Sequence, residues 1–154
     1  MRFLVQRVSE ASVQVKGKEV ARIGRGLLVL VGFHQADTPN LCESLIAKLL
    51  KLRIFPDEAD KMNLSVRDVG GELLFVPQFT LYGDTSKGNR PSFIEAARSD
   101  QGSDLFDHLI SLAKISKVPV QAGLFQAKMA VALVNDGPVT VFMEATPDGR
   151  TDSN

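Results

Sequence analysis

Apolar and polar positions alternate from the first residues onward. Phe3, Val5 and Val8 flank Gln6 and Arg7, and then Ala11, Val13 and Val15 alternate with Ser12, Gln14 and Lys16. A two-residue period of this kind predicts strands with one buried face. Lys16-Gly17-Lys18 is a turn signal, and residues 20–23 return as a second strand. Residues 27–31 (Leu-Leu-Val-Leu-Val) are apolar on both faces, which suits a central strand covered on both sides. Thr38-Pro39 then supplies a helix cap followed by proline in the first turn. Leu41, Leu45, Leu49 and Leu52, with Ile46 beside them, lie on one helical face. Cys42 lies in the same helix, where packing is the natural role.

Beyond that helix, residues 53–56 read as a short edge strand ended by Pro56, and Gly70-Gly71 turns the chain into a second central strand at 72–76. Residues 82–91 are polar and glycine-containing, hence a loop. A short helix is predicted at 91–98 and a longer one at 103–115, where Leu105, Leu109 and Leu112 share a face. Residues 118–121 and 129–134 read as strands. Asn135-Asp136-Gly137-Pro138 reads as a turn before a last strand at 139–145. The polar tail, 147–154, is expected to fray. The fold class that follows is α/β: one compact, strand-rich domain spanning 1–146, with two or three helices.

Composition narrows the chemistry. A chain of 154 residues is one domain's worth, and 44% hydrophobic residues with 23% charged is enough apolar material to fold. Positive and negative side chains balance at 18 each, so affinity for nucleic acid has to come from a local patch. Residues 1–26 carry six cationic side chains against two acidic ones. Lys87, Arg90 and Arg98 follow later, and Lys48, Lys51 and Arg53 lie on or just after the first helix. Two histidines and one cysteine cannot build the usual zinc site. Gly24-Arg25-Gly26 lacks the third glycine of a dinucleotide loop. Asp57, Glu58 and Asp60 lack the ligand spacing of a calcium loop and read as a solvated turn. No metal and no cofactor is expected. With one cysteine, no apolar run of membrane-spanning length and a start that goes straight into strand pattern, the expected setting is the cytoplasm.

Two segments break the plain packing pattern. Pro77-Gln78-Phe79-Thr80-Leu81 ends a central strand with a carboxamide, a hydroxyl and free main-chain N–H groups, a usual place for a site in an α/β sheet. The plainer alternative is a strand exit whose threonine bonds its own backbone. Asn135-Asp136-Gly137-Pro138-Val139-Thr140 is the second; here the plainer reading is an ordinary Asp-Gly turn, and a cis Gly137-Pro138 would instead turn two carbonyl oxygens outward in parallel.

The whole stretch 1–145 resembles the D-aminoacyl-tRNA deacylases of the bacterial and eukaryotic type. The likeness is carried by Val5-Gln6-Arg7-Val8, the run from Gly26 to Gly32, Arg53-Ile54-Phe55 and Lys61-Met62-Asn63. It continues through Gly88-Asn89-Arg90-Pro91-Ser92-Phe93 and Asn135-Asp136-Gly137-Pro138-Val139-Thr140. The family's two site motifs fall on Gln78-Phe79-Thr80-Leu81 and Gly137-Pro138. The resemblance implies layered sheets, a homodimer, and hydrolysis of the ester between a D-amino acid and the tRNA 3′ end. It further implies a cis Gly137-Pro138 reaching into the partner's pocket, with Arg7 orienting that loop. L-residues would be rejected by the main-chain oxygens, and glycyl esters admitted for want of a Cβ. Phe79 and Thr80 N–H groups are the candidate oxyanion site; Thr80 Oγ is either passive or a nucleophile. One departure is Pro77, where the family usually has serine. A related animal group has proline there, with alanine at the position of Phe79 and a trans Gly-Pro. The alternatives are a non-catalytic nucleic-acid-binding module on the same fold and a broader deacylase with relaxed chirality.

Overall fold

The computed structural model describes residues 1–147 and 151–153. Its organising element is β1 (Arg2–Val15), long enough to serve two sets of neighbours. One edge of β1 carries β8 (Met129–Ala145) along its whole length. The other carries β3 (Gly26–Gly32) on its first half and β2 (Lys18–Ile23) on its second. β3 pairs in parallel with β6 (Glu72–Pro77), and β6 in parallel with β7 (Val120–Ala122). The result is a mixed seven-stranded sheet with the order β7-β6-β3-β1-β8-β9, where β9 is Thr151–Ser153 and β2 pairs β1. β2 also approaches β6 and β7, so the sheet curls back on itself. A separate two-stranded ribbon joins β4 (Phe55–Pro56) to β5 (Met62–Leu64). The helices are α1 (Pro39–Lys51) and α2 (Ser99–Ile115), with a 3-10 turn at Phe79–Tyr82.

The central strands are buried on both faces, as their uninterrupted apolar runs predict. Leu27, Val29, Val31, Leu73 and Phe75 pack under α1 and α2 against Leu45, Leu49, Leu105 and Leu109. The alternate residues Leu28, Leu74 and Val76 fill the inside of the curl with Val8, Val13 and Ile23. Each such leucine contributes roughly 1.5–3 kcal/mol by leaving water. Cys42 is fully buried in α1, and burial pushes its thiol up to about 12, which suits packing and not reactivity.

Four sequence expectations need correction. Residues 91–98 are not helical: Ala97 N–H donates to Phe33 O at 2.8 Å and Glu95 O accepts from Gln35 N–H at 3.0 Å. A neighbouring segment therefore takes the backbone groups that a helix would use internally. The following helix starts at Ser99, not 103. The strand expected at 118–121 is β7, shifted to Val120–Ala122. Most consequential, the signal at 135–138 does not reverse the chain. β8 runs on through it, with Asn135 opposite Val8 and Thr140 opposite Gln6. Residues 136–139 are thereby extruded as a bulge beside Arg7. In the tail expected to fray, β9 (Thr151–Ser153) pairs antiparallel with Met143–Ala145, and 148–150 and 154 lie outside the described residues. Among the described residues no helix is long and apolar enough to cross a membrane.

Candidate active site

Pro77 closes β6 opposite Val31, and the next residue still holds the ladder, since Gln78 N–H donates to Val31 O at 2.7 Å. The chain then tightens into the 3-10 turn Phe79–Tyr82. Gly32 makes that turn possible. A Cβ there would stand 3.0 Å from Leu81 Cβ and 3.2 Å from Gln78 O, so a side chain would push the turn off β3. Within the turn Gln78 Nε2 donates to Thr80 Oγ1. The Phe79 ring is 58% exposed and meets Phe93 edge-on at 5.1 Å. The N–H groups of Phe79 and Thr80 open the turn, where no residue precedes them to accept inside it.

A cavity of about 560 Å³ lies beside this turn. Its lining includes Val31, Pro77, Gln78, Phe79, Phe125 and Met129, so it is largely apolar with the Gln78 carboxamide among its polar groups. Gly102 of α2 shapes the wall: a Cβ there would come within 2.9 Å of the Phe125 ring. Gln126, which also lines the cavity, adopts a left-handed backbone with φ +61°. The pattern along the chain flagged none of Gly102, Phe125, Gln126 and Met129; only the left-handed residue is unusual, and nothing in its type announces it.

Among the described residues, Thr80 Oγ1 bonds Gln78 and no basic side chain. His34 Nδ1 accepts from Ala36 N–H at 3.0 Å, with its ring against Tyr82. The Nε2 of His108, on α2, is buried without a partner. Among the described residues no group of three or more metal-ligating side chains converges. Asp57 serves its own turn, accepting from the N–H groups of Ala59 and Lys61 and from Asn63 Nδ2, and these bonds hold its carboxyl below the usual range.

The second segment is built around Arg7, which is buried. Its Nε donates to Asp136 O at 2.8 Å and its Nη1 to Ile54 O at 2.7 Å, while the Asp136 carboxylate stands 3.4 Å from Nε. Arg7 thus fastens the bulge to the residue just before β4, a role beyond covering apolar surface with its stem. Asn135 closes the bulge from within: its Oδ1 accepts from Val139 N–H at 2.7 Å and its Nδ2 donates to Thr140 Oγ1 at 3.0 Å. Gly137 has φ +141° and the Gly137-Pro138 peptide is cis.

Within one chain the two segments stand apart. Arg7 pairs with Leu27 at the start of β3, whereas Gln78 bonds Val31 near its end. Those positions are about 13 Å apart at roughly 3.3 Å per residue. Neither Gly137 nor Pro138 lines the cavity.

The family described as D-Tyr-tRNA(Tyr) deacylase matches residues 4–144. This chain belongs to that family. A D-aminoacyl-tRNA deacylase of Chloroherpeton thalassium is 53% identical over 94% of this chain and 96% of its own length. Another, from Thermotoga petrophila, is 53% identical over 95% of this chain and 98% of its own. Among solved structures, "c-Myc DNA Unwinding Element Binding Protein" superposes with TM-score 0.90 and 39% identity, covering 95% of this chain and 99% of that one. A probable eukaryotic D-amino acid tRNA deacylase, at 20% identity and TM-score 0.80, shares the fold. The fold expected from the resemblance is therefore the family's own.

Proposed function

We propose that this chain hydrolyses the ester of D-aminoacyl-tRNA, water splitting the acyl–oxygen bond to release a free D-amino acid and tRNA with its 3′-terminal hydroxyl. The observation that carries this reading is the turn at Gln78-Phe79-Thr80, opening on a cavity of about 560 Å³ in a member of this family. The two main-chain N–H groups of Phe79 and Thr80 hold the developing oxyanion, worth about 3 kcal/mol each when well aimed. Thr80 is passive, because its oxygen already accepts from Gln78 and among the described residues no base hydrogen-bonds it. The neighbouring 2′-hydroxyl of the substrate helps to activate water.

Chirality is sorted by the main-chain oxygens of Gly137 and Pro138. They accept the substrate ammonium and crowd its Cα, so that only hydrogen fits on that side. An L-residue meets them with its Cβ, whereas a glycyl ester, lacking one, is also cleaved. Because the bulge lies far from the cavity of its own chain, the working form is a homodimer in which each bulge enters the partner's pocket, in the cytoplasm where charged tRNA is found. Arg7 orients the bulge through Asp136 and Ile54.

Purified protein assayed against D-, L- and glycyl-tRNA tests this: turnover of the D- and glycyl esters is expected, and cleavage of an L-ester would refute the filter. The 39% identical neighbour, named as a DNA-unwinding-element binding protein, favours a second reading, a nucleic-acid-binding module without catalysis. Binding of tRNA with no turnover of any of the three esters would select it.

A further inference from the structure

The arginines around the turn at Phe79–Tyr82 divide into paired and unpaired. Arg2 is neutralised by Glu144 at 2.6 Å and Arg98 by Asp100 at 2.7 Å. Farther off, Arg22 bridges Glu19 and Glu10. Lys87 and Arg90 are exposed and have no acidic partner within 4.0 Å among the described residues, and both ride on the loop joining Gly83 to Phe93.

That loop is fixed to the turn at both ends. Asp84 and Ser92 exchange both main-chain hydrogen bonds, at 2.8 and 2.9 Å. The Asp84 carboxylate accepts from Ser86 N–H at 2.8 Å, a bond that holds it below the usual carboxylate range, and it forms no ion pair with Lys87 or Arg90 among the described residues. Gly88 turns the tip with φ +78° and open space around its Cα. At the root, Gly83 N–H donates to Thr80 O at 3.0 Å, and the Phe93 ring packs on Phe79 at 5.1 Å. The root of the loop is thus in direct contact with Phe79 and Thr80.

We infer that this loop is a phosphate clamp: Lys87 and Arg90 each neutralise one phosphate of the single-stranded tRNA 3′ end and so position the ester over Phe79 and Thr80. An arginine at one position gives a planar fork for phosphate oxygens and a lysine at the other gives a mobile point charge. The inference deepens the proposed function and rests on it for the identity of the substrate; both residues are positioning residues, not catalytic ones.

The test is the double variant Lys87→Gln/Arg90→Gln, with Lys114→Gln/Lys117→Gln at the exposed end of α2 as an equal change of charge elsewhere. Dissociation constants for deacylated tRNA are measured from 50 to 200 mM salt, alongside kcat and KM on D-aminoacyl-tRNA and on a 3′-D-aminoacyl-adenosine. Each single-strand phosphate contact adds about 0.7 to the salt slope, so wild type loses about sevenfold more affinity than the double variant across that range. KM for the tRNA ester rises, kcat holds, and the adenosine ester is cleaved at the wild-type rate. An unchanged salt slope, an equal fall in slope from the α2 control, or an equal loss on the adenosine ester overturns the clamp. Failure of the deacylase reading looks different, since wild type would then leave the adenosine ester intact while the tRNA-binding slopes still decide the clamp.

Discussion

Gly137→Ala puts the most weight on the smallest change. The backbone there has φ +141°, a region that costs an L-residue of order 1–3 kcal/mol. The new Cβ would stand 2.7 Å from Val139 Cγ2, 2.9 Å from Val139 N and 3.0 Å from Arg7 Nη2. None of these neighbours gives way freely. Val139 N–H is bonded to Asn135 Oδ1 at 2.7 Å, and Arg7 holds Asp136 O and Ile54 O. Losing one such bond adds roughly 1 kcal/mol, for a total of about 2–4 kcal/mol. In a domain of this size each kcal/mol lowers Tm by about 2–4 °C, so calorimetry should register a fall of roughly 5–15 °C. Relief of the crowding moves the main-chain oxygens, so D-aminoacyl-tRNA turnover falls and the preference for D over L narrows in the same preparation. A variant that melts within a degree of wild type and keeps its D/L ratio would show that neither the backbone nor the filter depends on a glycine here.

Three further substitutions separate catalytic from structural roles. Thr80→Ala removes a hydroxyl that accepts from Gln78 and leaves the main-chain N–H groups in place, so single-turnover rates should drop only a few-fold; complete loss would make Thr80 the nucleophile. Asp37→Asn strips the charge facing the buried Met1 ammonium at 2.8 Å, and breaking a buried pair costs about 3–5 kcal/mol. Urea unfolding reads that loss, and an unmoved midpoint would mean that the ammonium is satisfied by Ala145 O alone. Gly26→Ala would set a Cβ 2.0 Å from Glu72 O, which forces the parallel β3–β6 pair apart at its first rung. We expect insoluble protein or the loss of more than ~3 kcal/mol, beyond the usual range for one substitution; a soluble variant with wild-type stability would refute the close approach.

The elements most legible in the sequence were those whose burial is two-sided or strictly periodic. Residues 27–31 and 72–76 read as covered strands, and Leu45 and Leu49 as core-facing; all are buried except Leu30 and Glu72, which are partly so. The turn at Gln78-Phe79-Thr80 was legible because proline ends a ladder, and β6 ends at Pro77. The cavity beside it was not. Its walls come from α2, the 123–127 segment and the start of β8, and an apolar residue lining a cavity is indistinguishable in sequence from one filling a core. Residues 91–98 failed for a related reason: their helical pattern is local, whereas the bonds to Phe33 and Gln35 that decide their conformation are not.

The segment around Gly137 shows where such reading has to stop. Asn-Asp-Gly-Pro carries the residue types of a chain reversal, because a reversal and a bulge make the same local demands: a positive φ and a residue without an N–H. What separates them is whether the strand that follows pairs with the strand before it or with a third. Here β1 is long enough to accept both halves of β8, so the chain continues and the unpaired residues 136–139 are extruded. The residue that faces the gap, Arg7, then reaches in to bond the main chain, which gives a buried arginine on a strand its otherwise unexplained place. A long first strand, an arginine at its sixth residue and an Asp-Gly-Pro more than a hundred residues later are thus one structural unit, held together by pairing on both sides of the gap and by the Arg7 bond to Asp136 O.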